Sequence, residues 1–262
     1  MRPITLCFVF LMFFISSLAF RINRLIESIS LLRENVSKTL IYSLFSFTVV
    51  GGVISPTFGT EYDMYSRNYD KLESGKIASS LGVEDLRMLG GVYVFGDVLE
   101  IAIGTGLQSD YYIQNKLSSF TGIDTSSGML KEAAEKIKLS LPGVKSSLKI
   151  MDAEKLEFAD NSFDSVIDTY SLCVIDQPET TVKEMVRVVK KGGTVVLVEN
   201  SLSNNFLLGK FQDITEPLLT PFSKGCKWNV NVPALAKKSG LKLVKEDSRS
   251  LGLLYLGIFR KS

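Results

Sequence analysis

The sequence predicts an α/β fold in which a mainly parallel sheet of seven strands is covered by helices on both faces. From Glu61 onward, short β-rich segments alternate with helical patterns of ten or more residues, as in βαβ units. Several of these strand segments are nearly continuous apolar runs, which indicates burial on both faces of the sheet. The last two strand segments have no helix between them, so we expect a C-terminal antiparallel hairpin at the sheet edge.

The predicted elements follow one another in a regular order. Strands are predicted at residues 98–102, 119–123, 148–151, 165–169, 194–199, 241–246 and 253–259. Helices are predicted at residues 107–116, 126–139 and 179–189. We expect the segment 202–231 to be irregular. In a Rossmann-like sheet of this kind, ligands bind beyond the carboxyl ends of the strands, where the strand order reverses.

Charge and rare residues exclude several classes of function. Residues 1–60 contain five Lys/Arg and two Glu, a charge of +3, and the remainder has 25 basic and 26 acidic residues, a charge of −1. We expect no nucleic-acid partner, because phosphate neutralisation needs a concentrated cationic face. The chain has no histidine, which excludes His-dependent triads and a His general base. Cys7, Cys173 and Cys226 are far apart and fit neither a disulfide framework nor a zinc site, and no metal is expected.

Residues 1–60 are predicted to form a targeting or membrane segment in front of a domain at residues 61–262. The uncharged run "PITLCFVFLMFFISSLAF" ends like a secretory signal cleaved after Ala19. It is also nearly long enough to be a retained signal anchor, and both interpretations stay open. We expect a membrane-associated protein that enters through the endoplasmic reticulum or an organelle such as a plastid or mitochondrion.

Further features of this N-terminal segment leave its topology open. Apolar residues at helical spacing between Arg21 and Lys38 predict an amphipathic, mildly basic helix. The uncharged stretch at 39–60 is long enough to span a membrane, with a hydrophobic linker or a processed transit segment as alternatives. A signal followed by a basic, Ser-bearing stretch also resembles the two-part leaders of proteins sent to complex plastids. Asn35 begins a glycosylation sequon that matters only if this part is luminal.

The stretch "VLEIAIGTGLQS" places a glycine loop at the end of the first predicted domain strand. Gly104 and Gly106 let backbone approach a ligand that a Cβ would exclude, and a helix opening at Leu107 would direct free N–H groups towards an anionic group. Asp124 ends the next strand, where a carboxylate can accept hydrogen bonds from both hydroxyls of a ribose. A dinucleotide and S-adenosylmethionine both fit this pattern, but Ser109 stands where the dinucleotide motif has its third glycine. Alone, the loop also fits a tight turn without a ligand.

Further motifs follow in "KIMDAEKLEFADNSFDSVIDTYSLCVIDQPETTVKEMVRVVKKGGTVVLVEN". With them, residues 62–262 resemble the class I S-adenosylmethionine-dependent methyltransferases, and within these the ubiquinone/menaquinone C-methyltransferase-like group. The resemblance implies methyl transfer with S-adenosyl-L-methionine as the cofactor. It implies that the cofactor-binding residues are Glu100, Ala102, Gly104, Gly106, Asp124, Met129, Asp152, Ala153 and Ser171.

The resemblance also implies roles within this set. Glu100 would support the loop and the methionine amino group, and Asp124 would bind the ribose. Met129 would pack near the adenine, whose edge the pair Asp152-Ala153 would receive. The family usually has glycine where this chain has Ala102, and we expect the replacement to be harmless if its φ is negative, with at most a weakened affinity.

A narrower likeness concerns the apolar amino terminus and "GCKWN" at 225–229. Both are similar to the membrane-anchored methyltransferase-like proteins, which include animal alkyl-thiol methyltransferases and a fungal mitochondrial inner-membrane member. That group often has Glu-His after the fifth strand, where this chain has Glu199-Asn200. If that histidine deprotonates the acceptor, its absence disfavours thiol methylation.

The methyl acceptor is expected over the loops that follow the fourth and fifth strands. A sulfonium methyl is already activated, so the protein mainly has to align the acceptor and exclude water, and no catalytic residue is assigned. With Tyr62, two further tyrosines would form a roof over the acceptor, or would only pack the first helix on the sheet. A cysteine at a strand end is more often a small buried hydrophobe than a reactive thiol. The candidate acceptor residues are Tyr65, Tyr69, Leu172, Cys173, Glu199 and Asn200.

The predicted function is transfer of a methyl group from S-adenosylmethionine to a small lipophilic acceptor at a membrane. A quinone precursor, a lipid amine and a lipophilic thiol stay open as acceptors. The alternative is a non-enzymatic membrane assembly factor, which Ala102 and the missing histidine favour and the acidic residues Glu100, Asp124 and Asp152 oppose. A nicotinamide-dependent reductase is disfavoured by Ser109.

Overall fold

The computed structural model describes residues 82–220, 223 and 225–262, together with Tyr62, Asp63, Ser66, Tyr69 and Asp70. The signal or anchor, the amphipathic helix, the second apolar stretch and the sequon all lie outside these residues. Tyr65 lies outside them as well. These expectations, and the domain boundary at residue 61, stay predictions.

The described residues are built around one seven-stranded sheet. The strands are β1 Gly96–Ile101, β2 Leu117–Asp124, β3 Lys145–Ile150, β4 Phe163–Thr169, β5 Val189–Asn200, β6 Lys242–Arg249 and β7 Leu254–Arg260. Their order across the sheet is β3-β2-β1-β4-β5-β7-β6. The pairs among β1 to β5 are parallel, and β7 is antiparallel to both β5 and β6. The predicted Rossmann-like α/β fold with a C-terminal antiparallel hairpin is confirmed.

Helices cover both faces of the sheet because successive strand residues point to opposite sides. In β1, Val98 belongs to one apolar cluster and Leu99 to the other. The helices of the described part are α1 Val83–Val92, α2 Ser127–Ser140, α3 Pro178–Val188, α4 Phe206–Leu219 and α5 Val232–Lys238. The cluster of Val98 packs under α1 and α2, and the cluster of Leu99 packs under α3 and α5.

The helix predicted at 107–116 is wrong, because this segment forms only two 3-10 turns at Ser109–Tyr111 and Gln114–Lys116. Tyr112 between them is extended, with φ −78° and ψ 142°. Its buried hydroxyl donates a hydrogen bond to Glu100 Oε2 at 2.7 Å. This inward turn of the tyrosine interrupts the helical repeat. No α-helix N-terminus therefore faces the glycine loop from this segment.

The expectation that residues 202–231 are irregular is also wrong, because they contain α4. Asn205 caps this helix by accepting a hydrogen bond from the Leu208 N–H at 3.2 Å. Gly209 and Pro217 within the helix are residues that usually argue against one. Among the described residues, no helix has both the length and the apolar character needed to cross a bilayer.

Candidate functional site

The glycine loop after β1 leaves space beside its backbone. Gly104 has φ +56°, and a Cβ placed there would meet nothing within 4 Å. The Ile103 N–H donates to Ile123 O at 2.8 Å and the Gly106 N–H donates to Ile103 O at 3.0 Å. The loop is thus tied to β2 while its Gly104 side stays open. This is the accessible backbone that the sequence predicted for a close-lying ligand.

Ala102 lies at the start of this loop in a left-handed conformation, with φ +45°. The expectation that alanine is harmless here assumed a negative φ, so that condition is not met. The left-handed conformation costs a non-glycine residue roughly 1–2 kcal/mol. The substitution therefore strains the loop at the position where the family usually has glycine.

Asp124 joins the end of β2 to the glycine loop. Its Oδ2 accepts a hydrogen bond from the Gly104 N–H at 2.8 Å, and its Oδ1 accepts one from the Ser126 N–H at 2.9 Å. Burial raises the pKa of this half-buried carboxyl, and the backbone donors lower it. Two carboxylate oxygens offer about four acceptor positions, so capacity for a further donor stays after these contacts.

The residues expected around an adenine follow the carboxyl ends of β2 and β3 along the chain. The Met151 N–H donates to Asp124 O at 3.1 Å, which brings the ends of β2 and β3 together. Met129 and Ala153 are buried apolar residues there. Asp152 is exposed, and its Oδ1 accepts a hydrogen bond from the Glu154 N–H at 2.8 Å.

Glu100 is buried within β1, beneath the loop. Burial raises the pKa of this carboxyl to about 8, although the hydrogen bond from Tyr112 and the charge of Arg87 oppose the shift. The group is therefore mostly protonated at neutral pH. Tyr112 and Arg87 were not singled out from the sequence, since only the fold brings them to the strand.

Two buried carboxyl groups lie at the ends of β4 and β5. Glu199 Oε1 accepts hydrogen bonds from the N–H groups of Ser171 at 2.9 Å and Leu172 at 3.3 Å. Asp168 Oδ1 accepts one from the Ser171 hydroxyl. The other two oxygens, Asp168 Oδ2 and Glu199 Oε2, are buried and have no donor unless the pair itself holds a proton. Burial raises the pKa of both groups, and their mutual contact lets them share one proton.

This pair fixes the loop where the acceptor was expected. Tyr170 in that loop is left-handed, with φ +58°, and the Arg87 guanidinium lies 4.8 Å from the centre of its ring. Ser171 is buried and faces the carboxyls rather than an open site. Asn200 ends β5 in a half-buried position. Of the expected acceptor residues, Leu172, Glu199 and Asn200 are thus brought to one end of the sheet.

Cys173 forms a disulfide with Cys226, and their Cα atoms lie 4.7 Å apart. The expectation that no cysteines pair is wrong for these two, because a separation of 53 residues along the chain does not prevent contact in the fold. The Lys227 N–H also donates to Cys173 O at 2.7 Å. Cys173 is therefore not a free thiol for the acceptor. Instead it connects the loop after β4 to the segment that follows α4.

Two acids near the N-terminal end of the domain contact the site, and the sequence analysis missed both. Asp63 Oδ1 accepts hydrogen bonds from Ser126 Oγ and from the Gly128 N–H, each at 2.6 Å. Asp70 accepts one from Thr105 Oγ1 at 2.5 Å and pairs with Lys136 at 2.6 Å. The two acids are seven residues apart, which is two helical turns, and this spacing could have indicated that they share one face of a helix.

Of the expected roof, Tyr62 and Tyr69 are half-buried and helical. A Cβ at Gly128 would lie 2.8 Å from Asp63 Cα, so the close approach of this segment to α2 requires glycine there. The described part of the roof is thus held to the site by acids. Whether its tyrosines orient an acceptor stays a prediction.

Comparison with known proteins decides the family. A family model for a methyltransferase domain matches residues 99–197. Phosphatidylethanolamine N-methyltransferase of Cereibacter sphaeroides is 43% identical over 163 residues, which cover 61% of this chain and 77% of that protein. This chain belongs to the class I S-adenosylmethionine-dependent methyltransferases. Membership of this family implies the use of S-adenosylmethionine.

Other methyltransferases match over a smaller share of their own length. A ubiquinone/menaquinone biosynthesis C-methyltransferase of Pseudomonas fluorescens is 35% identical over 131 residues, 48% of this chain and 50% of that one. The mitochondrial methyltransferase OMS1 of Saccharomyces cerevisiae is 25% identical over 173 residues, 60% of this chain and 36% of that one. The chain therefore spans half or less of the length of these two relatives.

Solved structures agree with the methyltransferase fold. The crystal structure of the [4+2]-cyclase SpnF covers 78% of this chain and 94% of its own, with a TM-score of 0.61 and 16% identity. A putative methyltransferase from Bacillus halodurans covers 63% and 71%, with a TM-score of 0.54 and 21% identity. At these identities the likeness concerns the fold alone. Among the described residues, no group of three or more His, Cys, Asp or Glu side chains is placed to hold a metal ion.

Proposed function

We propose that this protein transfers a methyl group from S-adenosylmethionine to the amine of an ethanolamine phospholipid. The observation that carries the proposal is the 43% identity to the phosphatidylethanolamine enzyme, over a match that covers 77% of that protein. The two other acceptors that the sequence left open, a quinone precursor and a lipophilic thiol, have weaker support. The quinone enzymes match over half of their length.

The described residues fit the cofactor. The open side of Gly104 gives its backbone room to meet a ligand, and Asp124 keeps acceptor capacity for a ribose hydroxyl. Met129 and Ala153 would contact an adenine, and Asp152 would accept a hydrogen bond at its edge. When bound, S-adenosylmethionine supplies an activated sulfonium methyl, and the protein has to orient the acceptor towards it.

The absence of histidine does not exclude an amine acceptor. The amine of a phospholipid is mostly an ammonium ion at neutral pH, so it has to lose one proton to solvent before its lone pair attacks the methyl carbon. A thiol also has to be deprotonated first, because the thiolate is the nucleophile, and the chain has no histidine for either step. The task left to the loop of Ser171 and Leu172 is to position the acceptor, and Glu199 holds that loop.

The membrane attachment of this enzyme is assigned to residues 1–60. Their apolar runs are long enough to hold the chain at a bilayer, where a phospholipid acceptor resides. Removal of this segment is expected to reduce methylation of lipid in vesicles. Methylation of a short-chain, soluble phosphatidylethanolamine is expected to continue.

The test uses the full-length chain with methyl-labelled S-adenosylmethionine. The acceptors are phosphatidylethanolamine, phosphatidylcholine and a demethylated menaquinol, each in detergent micelles. Label in methylated phosphatidylethanolamine, with none in phosphatidylcholine, is the expected result. Label in the quinol alone would replace the lipid amine by a quinone acceptor. A folded chain that does not bind the cofactor would favour the non-enzymatic assembly factor.

A further inference from the structure

Helix α4 turns its apolar face to solvent. Phe206, Leu207, Ile214 and Leu218 are between 67 and 77% exposed, and Phe211 is 39% exposed. Leu207, Phe211, Ile214 and Leu218 follow one another at spacings of four, three and four residues, so they form one stripe along the helix. From Leu207 to Leu218 the stripe is about 17 Å long.

Polar contacts hold the helix in this orientation. Gln212 is fully buried on the face opposite the stripe. Its Oε1 accepts a hydrogen bond from the Ser203 N–H at 2.7 Å, and its Nε2 donates to Ser201 O at 3.1 Å and to Trp228 O at 2.6 Å. A Cβ at Gly209 would lie 3.0 Å from Ser203 O, so only a small residue lets the helix lie this close. The helix cannot rotate its apolar stripe inward without breaking these buried contacts.

We propose that α4 docks on the surface of a lipid bilayer and inserts this stripe among the acyl chains. The proposal rests on the proposed function, since it specifies how the domain meets a phospholipid acceptor. Interfacial helices with Phe and Leu on one face lie in the plane of the membrane and bury that face by roughly 5–10 Å. Lys210 lies between stripe positions, and a lysine can extend its ammonium to the headgroups while its stem stays apolar.

The size and shape of the stripe favour lipid over a second copy of the chain. At areas of roughly 150–250 Å² for a large side chain, the exposed fractions of the four stripe residues correspond to roughly 400–600 Å². A standard protein interface buries about 800 Å² on each partner and needs a complementary surface. The stripe is a single protruding helix, around which fluid acyl chains can close without such a match.

Charge favours a zwitterionic bilayer over an anionic partner. On α4, Lys210 stands against Asp213 and Glu216, so the helix carries no cationic surplus. Attraction to anionic lipids is therefore not the main source of affinity. Docking through the stripe should persist at high salt, because screening weakens charge attraction and leaves apolar burial in place.

The stripe is connected to the acceptor end of the site. Cys226, shortly after α4, is bonded to Cys173 in the loop after β4. The ring of Phe211 packs edge-on against Trp228, with 5.8 Å between ring centres. A bilayer that covers the stripe therefore lies beside the loop that is expected to receive the phospholipid headgroup.

Trp228 is the only tryptophan of the chain, and its contact with Phe211 makes it a probe of docking. The full-length protein is bound to phosphatidylcholine vesicles that contain lipid brominated in the acyl chains. Brominated lipid quenches tryptophan fluorescence only at short range. We expect strong quenching of Trp228 that is unchanged between low and high salt.

A matched pair of variants separates α4 from other membrane contacts. The test variant is Leu207→Glu with Ile214→Glu and Leu218→Glu. The control places three glutamates at exposed apolar positions elsewhere, and it is Leu139→Glu with Leu243→Glu and Val244→Glu. We expect the test variant to lose more than half of the quenching, while the control keeps it. Near-ultraviolet circular dichroism verifies that both remain folded.

Two results would overturn the docking proposal. One is a vesicle-bound protein whose Trp228 is not quenched, or is quenched equally in the test variant. The other is a concentration-dependent dimer that the α4 substitutions abolish, which would assign the stripe to a second copy. Methylation of dihexanoyl phosphatidylethanolamine in solution keeps the two proposals apart. If the wild type does not methylate this soluble lipid, the proposed acceptor is refuted. If it methylates the lipid but Trp228 is not quenched, only the docking surface is refuted.

Discussion

Replacing Ala102 by glycine tests whether the glycine loop is strained. Relief of the left-handed conformation should stabilise the fold by roughly 1–2 kcal/mol. The added conformational freedom of glycine in the unfolded chain destabilises the fold by about 0.4–1 kcal/mol. The half-buried methyl group contributes at most about 0.8 kcal/mol. The expected net change for Ala102→Gly is therefore small, between about 0.8 kcal/mol of destabilisation and about 1.6 kcal/mol of stabilisation.

The same substitution at an unstrained alanine serves as the control. Ala236 is fully buried in α5, where glycine relieves no strain. Ala236→Gly should destabilise by roughly 1 kcal/mol through helix propensity, and by about 0.8 kcal/mol more through the lost methyl. Urea unfolding of both variants should show Ala102→Gly to be more stable than Ala236→Gly by about 1–3 kcal/mol. If Ala102→Gly is as destabilising as Ala236→Gly, the strain argument is refuted.

Substitutions at three further residues address the site. Glu100→Gln should flatten the pH dependence of stability. The folded pKa of about 8 lies above the unfolded value, so the wild type loses stability as pH rises from about 5 to 8, by at most about 5 kcal/mol. Parallel plots of unfolding free energy against pH for the two proteins would contradict this. Glu199→Gln should leave the free energy of unfolding nearly unchanged at pH 7, because its oxygen still accepts from Ser171 and its amide can donate to Asp168. Glu199→Ala leaves N–H groups unpaired and should cost about 1–3 kcal/mol in urea unfolding. Equal losses in the two variants would argue against a shared proton. Gly104→Leu should abolish cofactor binding in calorimetry, because the side chain fills the open side of the loop, and retained affinity would place the cofactor elsewhere.

The fold could be predicted from the sequence because the patterns that indicate it are local. Apolar runs such as Val98–Ile101 and Val195–Val198 are buried strands, and the glycines and Asp124 stand at strand ends where the predicted sheet requires them. The boundaries of the strands differ from those predicted by a few residues. Pattern and periodicity were sufficient for these features.

What the sequence did not predict depends on contacts between distant residues. The helix pattern at 107–116 was overridden because Tyr112 turns inward to Glu100. The disulfide between Cys173 and Cys226 forms because the segment after α4 returns to the loop after β4. Helix α4 itself was missed because it contains Gly209 and Pro217, and the buried hydrogen bonds of Gln212 to other segments hold it in place.

The central claim is that the glycine loop and Asp124 bind S-adenosylmethionine. Titration calorimetry of the full-length chain measures this directly, with Asp124→Asn as the matched variant, since its remaining oxygen can still accept from the Gly104 N–H. We predict micromolar binding to the wild type, a stabilisation of about 2.7 kcal/mol at 100 times the Kd, and at least tenfold weaker binding to the variant. A folded wild type that binds neither S-adenosylmethionine nor S-adenosylhomocysteine would contradict the account.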